Sequence, residues 1–167
     1  MGTQGLDEPV EPSMYAGLRH QLLALDPASV GLVAAPEDSG VWGVLFELGV
    51  PGGSASVVAL KDGTTSLYTS GGYGIVGGGA HQHIVTATRN LISTVARKLD
   101  LFAPDDSTRA PEPEHMLVRA LTHSGRRAAG AADADLVDGT HLLSDVFFAG
   151  HEVIAHLRTI DESATTP

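Results

Sequence analysis

The chain has 167 residues, 43 % of them hydrophobic and 18 % charged, which fits a single soluble domain with a real core. Its formal net charge of −10 repels phosphate backbones and argues against nucleic-acid binding. The absence of cysteine rules out disulfides, thiolate metal sites and a thiol nucleophile.

Residues 1–11 and 161–167 read as acidic tails, the first flexible, around one α+β domain at 12–160. The opening MGTQGLDEPVEP lacks the basic region and apolar run of a signal peptide. No segment reaches the ~18 apolar residues of a membrane span, so the expectation is a cytoplasmic protein without membrane contact. Residues 13–25 read as a helix, with Ser13 as N-cap and Met14, Leu18, Leu22 and Leu25 at helical spacing. Asp26-Pro27 stops it, and a loop follows over 27–40.

The period then changes. In VWGVLFEL, 41–48, Trp42, Val44, Phe46 and Leu48 alternate as on a strand, with Val41 and Leu45 opposed to them. A Pro-Gly-Gly turn leads into 55–60. Asp62-Gly63 is a hairpin signal, and 64–70 returns as the next strand. After the glycine-rich stretch 70–81, the spacing predicts an amphipathic helix over 81–99, with Ile84, Thr88, Leu91, Ile92, Val95 and Leu99 on one stripe. A Pro- and Asp-rich loop spans 103–113. Residues 115–123 and 126–132 read as a hairpin through Ser124-Gly125, and 133–139 as a loop. A last helix runs from about 145 to 160, capped by Ser144. The order α-β-β-β-α-β-β-α predicts one five-stranded antiparallel sheet packed with helices. Trp42, Phe46, Leu91, Val95, Phe147 and Leu157 are expected in one core.

SGGYGIVGGGAH, 70–81, contains Gly72-x-Gly74-x-x-Gly77, the spacing of a dinucleotide-binding turn. That turn belongs between parallel strands and their helix, and here the preceding strand sits in an antiparallel hairpin. No Gly-Lys-Ser or Gly-Lys-Thr occurs, so the phosphate-loop lysine is missing too. Two readings remain. The glycines are a backbone device that lets the following helix approach the sheet. Alternatively Gly72, Gly74, Gly77 and Gly78 cradle a phosphate-type anion at the helix N-terminus, with His81 or His83 as ligand or acid–base group.

His151 and His156 are five apart, not the four of a zincin helix, which rotates them ~140° from one another. Asp133, Asp135 and Asp138 miss the calcium-loop register. No Gly-x-Ser-x-Gly elbow is present. No metal, cofactor or catalytic residue is therefore expected. Arg126-Arg127 reads as an anion contact or a solvated turn. Glu47, in an otherwise apolar strand, is either an interior functional carboxylate or the solvent face of an edge strand.

The stretches 41–51 (VWGVLFELGVP), 62–81 (DGTTSLYTSGGYGIVGGGAH) and 139–158 (GTHLLSDVFFAGHEVIAHLR) resemble an uncharacterised bacterial protein family. That resemblance carries no activity and no catalytic residue. The element order also resembles the secretion-chaperone-like fold, whose small acidic dimers hold partner polypeptides. It implies a non-enzymatic binding module whose partners are a second copy of itself and another protein. The alternative is a small-ligand protein or modest enzyme built on the 70–83 loop.

Overall fold

The computed structural model describes residues 10–34 and 39–165. The expected tail at 1–11 falls outside them, except that Val10 and Glu11 open the first helix, α1 (Val10–Leu23). Ser13 therefore lies inside α1 and not at its N-cap. A single helical turn, Pro27–Val30, occupies the first part of the expected 27–40 loop, with Asp26 accepting a hydrogen bond from the Ala28 N–H.

The sheet begins with β1 (Val41–Val50), β2 (Gly53–Leu60) and β3 (Thr65–Thr69). β2 and β3 pair antiparallel through the Asp62-Gly63 turn, as the dipeptide predicts, with Ala59 opposite Thr65. β4 (Gly74–Ile75) follows, then α2 (Gln82–Arg97), β5 (Ala103–Pro104), β6 (His115–Thr122), β7 (Gly125–Ala132), α3 (Asp133–Leu136) and α4 (Ser144–Thr165). The described residues form one antiparallel sheet of seven strands, in the order β4-β3-β2-β1-β6-β7-β5. The expected five strands are all present. The two others, β4 and β5, are two residues each, too short to carry a hydrophobic period, and each caps one edge of the sheet.

β1 is the centre of the sheet and is buried along nearly its whole length. Between Val41 and Gly43 its register against β6 slips by one residue, a β-bulge at Trp42. The bulge puts Trp42 on the opposite face from Phe46, contrary to the simple alternation. Val41, Val44, Phe46 and Leu48 join Leu91, Val95, Phe147 and Leu157 in the main core under α2 and α4. Trp42 joins Leu45, Leu60 and Leu121 in a second core, covered by Leu22 of α1 and by Leu32. Each apolar face of β1 thus finds cover inside the chain.

α2 and α4 run antiparallel. Lys98, just after α2, donates to the Leu142 carbonyl and pairs with Asp145, while His83 near the α2 start meets Thr159 near the α4 end. Thr88, on the inward stripe of α2, is fully buried and shares a 2.6 Å hydrogen bond with Thr65 of β3, which satisfies both hydroxyls. Ser144 is the first residue of α4, and its hydroxyl donates to the Leu136 carbonyl instead of capping the helix. The ring Nδ1 of His141 accepts the Leu143 N–H at that end. Residues 133–136 form α3 where a loop is expected, and α4 continues through the expected tail to Thr165. Among the described residues no helix is long and apolar enough to cross a membrane.

Candidate functional site

The structure divides the glycine stretch between several tasks. Gly72 turns the chain at positive φ and, with Gly74, lines a small cleft beside Tyr15, Tyr68 and Tyr73. Gly77 also has positive φ, +83°. Gly78 is buried, and a Cβ there would sit 2.9 Å from Ile84, from Leu157 and from the Thr65 carbonyl. Gly78 is thus demanded by the close approach of α2 and α4 to the sheet, and Gly77 by its left-handed backbone, with open space around it. Gly77→Ala is expected to lower stability by about 1–2 kcal/mol through left-handed strain alone, with or without phosphate. Chemical denaturation in both buffers checks this, and a loss confined to phosphate buffer would restore the anion cradle.

His81 precedes α2 without a side-chain capping bond. Its ring lies 5.9 Å from that of His83, which in turn lies 5.1 Å from His156. The six candidate residues therefore do not converge: the histidines gather at the α2–α4 seam, Gly72 and Gly74 lie along the tyrosine cleft, and Gly78 is inside. Among the described residues no group of three or more His, Asp or Glu side chains has a geometry that could hold a metal ion.

A larger site lies along α4. The helix crosses the middle of the sheet and leaves the far ends of β1, β2 and β3 partly open. The result is a groove of about 480 Å³. Its floor is Leu48, Ala55 and Leu67, its helical wall His151, Ile154 and Arg158, and its rim Tyr73. The volume falls in the range of small-molecule sites. His151 and Arg158 are seven residues apart, two turns on one helix face, so both line the same groove. The His151 ring leans on Phe147 at 4.4 Å and meets Phe46 edge-on at 6.1 Å. Burial pushes its pKa below the ordinary imidazole range; Asp133 opposes the shift and Arg158 adds to it. Burial also raises the carboxyl of Asp133, whose Oδ1 is enclosed without a hydrogen-bond partner among the described residues. Arg158 makes no hydrogen bond or ion pair among the described residues. Sequence reading singled out His151 only as a failed zincin residue. The signal for the groove is the i, i+3, i+7 spacing of His151, Ile154 and Arg158, which says nothing until the sheet end beneath them is known to be open.

Glu47 has a different role. It is fully buried on the central strand, which excludes the edge-strand reading. Arg19 grips it with two hydrogen bonds, Nε to Oε2 at 2.7 Å and Nη2 to Oε1 at 2.9 Å. Arg119 donates to Oε1 at 3.0 Å, and the Ser56 hydroxyl to Oε2. Tyr15 reaches Ser54 and Ser56. Arg119 also binds Asp105 at 2.8 Å and the Arg109 carbonyl at 2.7 Å. Two arginines balance two carboxylates, so the buried cluster is neutral. It fastens α1 and the 105–109 segment to the sheet, and it offers no access to a substrate. Arg127 is likewise structural, donating twice to the Phe102 carbonyl.

Comparison with protein-family models, with curated proteins and with solved structures returned no match.

Proposed function

We propose that this chain is a non-catalytic binding protein whose receptor is the α4 groove. The ligand is a small molecule with an apolar body and one anionic group. The observation that carries the reading is the apolar groove with the Arg158 cation at its wall, unengaged among the described residues, and His151 two turns away. The apolar body would lie on Leu48, Leu67 and Ile154, and the anion would meet Arg158. The α+β element order, which resembles that of secretion-chaperone-like proteins once β4, β5 and α3 are set aside, also supports binding over catalysis.

Thermal shift with a medium-chain alkyl carboxylate and the matched alcohol tests this. The carboxylate is expected to raise Tm saturably and the alcohol much less. Arg158→Ala should weaken the carboxylate about tenfold or more. The anion should raise the pKa of His151, so affinity rises as pH falls toward the pKa of His151 in the free protein, which lies below the ordinary imidazole range. A carboxylate without effect, or one whose effect survives Arg158→Ala unchanged, overturns the proposal.

A homodimer is a second reading. It is favoured by Val137, Leu142 and Phe148, which stand exposed around the start of α4. Light scattering should then give twice the 17.3 kDa of one chain, and this mass should drop to that of one chain in Phe148→Glu.

A further inference from the structure

β7 is an edge strand only half covered. In its ladder with β6 the Asp133 N–H donates to the Glu114 carbonyl, which fixes the odd-numbered residues of β7 as those bonded to β6. Residues 126, 128, 130 and 132 therefore turn their N–H and C=O groups outward. β5 takes the first two: Ala103 pairs with Ala128, and the Asp105 N–H donates to the Arg126 carbonyl. Beyond Pro104 and Ala103 the partner strand ends, because Leu99–Leu101 coils into a helical turn. The N–H and C=O of Gly130 and the N–H of Ala132 have no partner among the described residues.

A groove of about 370 Å³ begins at these same residues. Its floor is Leu117 and Gly130, and its walls are Arg109, Glu112, His115 and Asp135. Gly130 keeps that floor bare, since a Cβ there would lie 2.6 Å from the Met116 carbonyl. A row of backbone donors and acceptors beside a side-chain groove is the arrangement that binds an extended strand.

We propose that the open half of β7, Gly130–Ala132, with the adjoining groove, docks an extended basic segment of a partner protein as an added strand. Charge selects the occupant. Glu112 and Asp135 line the groove beside Arg109 and His115, on a chain of net charge −10. A second copy pairing here would bring these acids against their own images. The segment before Val10 carries Asp7 and Glu8 and no cationic side chain, so it has the wrong sign as well. The site is independent of the α4 groove and stands whether or not that groove binds a ligand.

The test is amide NMR of the full chain with the probe acetyl-Lys-Val-Lys-Val-Lys-amide. Its controls are the same peptide with glutamate for lysine, and a backbone N-methylated version. The lysine probe should shift the Gly130, Ala132 and Leu117 amides saturably and slow hydrogen exchange at Gly130 and Ala132. The glutamate probe should do neither, and N-methylation should abolish the effect. Glu112→Lys and Asp135→Lys, both at exposed positions, should each weaken the lysine probe several-fold. No saturable shift at Gly130 and Ala132, or equal binding of the glutamate probe, overturns the proposal. So do amides already protected in the free protein together with a dimer mass, since a second copy then occupies the edge.

Discussion

Glu47→Ala is expected to lower the free energy of unfolding by about 3–5 kcal/mol, the usual consequence of removing one partner from a buried ion cluster. The loss follows from what is left behind. Arg19, at 12 % side-chain exposure, would keep its charge and lose its only carboxylate partner among the described residues, and the fully buried Arg119 would keep Asp105 but lose the second carboxylate that balances the pair. Replacing Glu47, Arg19, Arg119 and Asp105 together by apolar residues of similar volume should cost less than the single substitution, because no unpaired charge then remains. Urea titration of the two variants reads the difference directly. A single variant as stable as the wild type would mean that the cluster is not closed in solution. The cluster also sets an acid limit. Burial alone would raise the Asp105 carboxyl, but hydrogen bonds from Arg119 and Ser107 outweigh it and hold the group below the ordinary carboxylate range. The folded pKa is the lower one, so the stabilisation is present above the ordinary value of about 4 and is lost as pH falls through the folded value.

Gly150→Ala is expected to destabilise by about 1–3 kcal/mol, although alanine is the better helix former. Gly150 lies where α4 crosses the centre of β1, and an added Cβ would overlap three atoms of the Phe46 ring. Phe46 is fully buried and also touches His151, so the ring has nowhere to swing. The cause is contact with that ring, which makes the effect pair-specific. In Phe46→Leu the same Gly150→Ala change should become neutral or stabilising, and a double-mutant cycle by thermal denaturation measures the coupling. Additive effects would place the cost in the helix backbone instead.

The elements whose side chains repeat with a clean period were legible in the sequence. The α2 stripe, the two hairpins and their turn dipeptides, and the inward face of α4 all follow from residue spacing alone. What was not legible has identifiable physical reasons. β4 and β5 owe their pairing to the strands beside them, since two residues cannot express an alternation. The bulge at Trp42 is a register event between β1 and β6, and a single strand carries no sign of it. It moved Trp42 to the other face and so out of the expected core into the second one, under α1. Glu47 drew notice as a carboxylate among apolar neighbours, but its partners come from Arg19 and Arg119, far off along the chain. The glycine stretch drew notice for the spacing of its motif; the packing demand at Gly78 is set by Ile84, Leu157 and Thr65, which only the folded chain brings there. The α4 groove escaped notice because it is an uncovered part of the sheet, and a lack of cover has no residue signature.

The pairing of β1 with β6 also has a kinetic meaning. β1 to β4 form a meander built from tight turns, and β6 with β7 forms a second local hairpin; each can zip from its own turn. The β1–β6 ladder alone joins them, and Glu47 and Arg119 across it are 72 positions apart. Closing that separation costs chain entropy before any ladder bond repays it. Folding is thus expected to be limited by closure of this junction, which supplies the strand common to both cores and to the charge cluster.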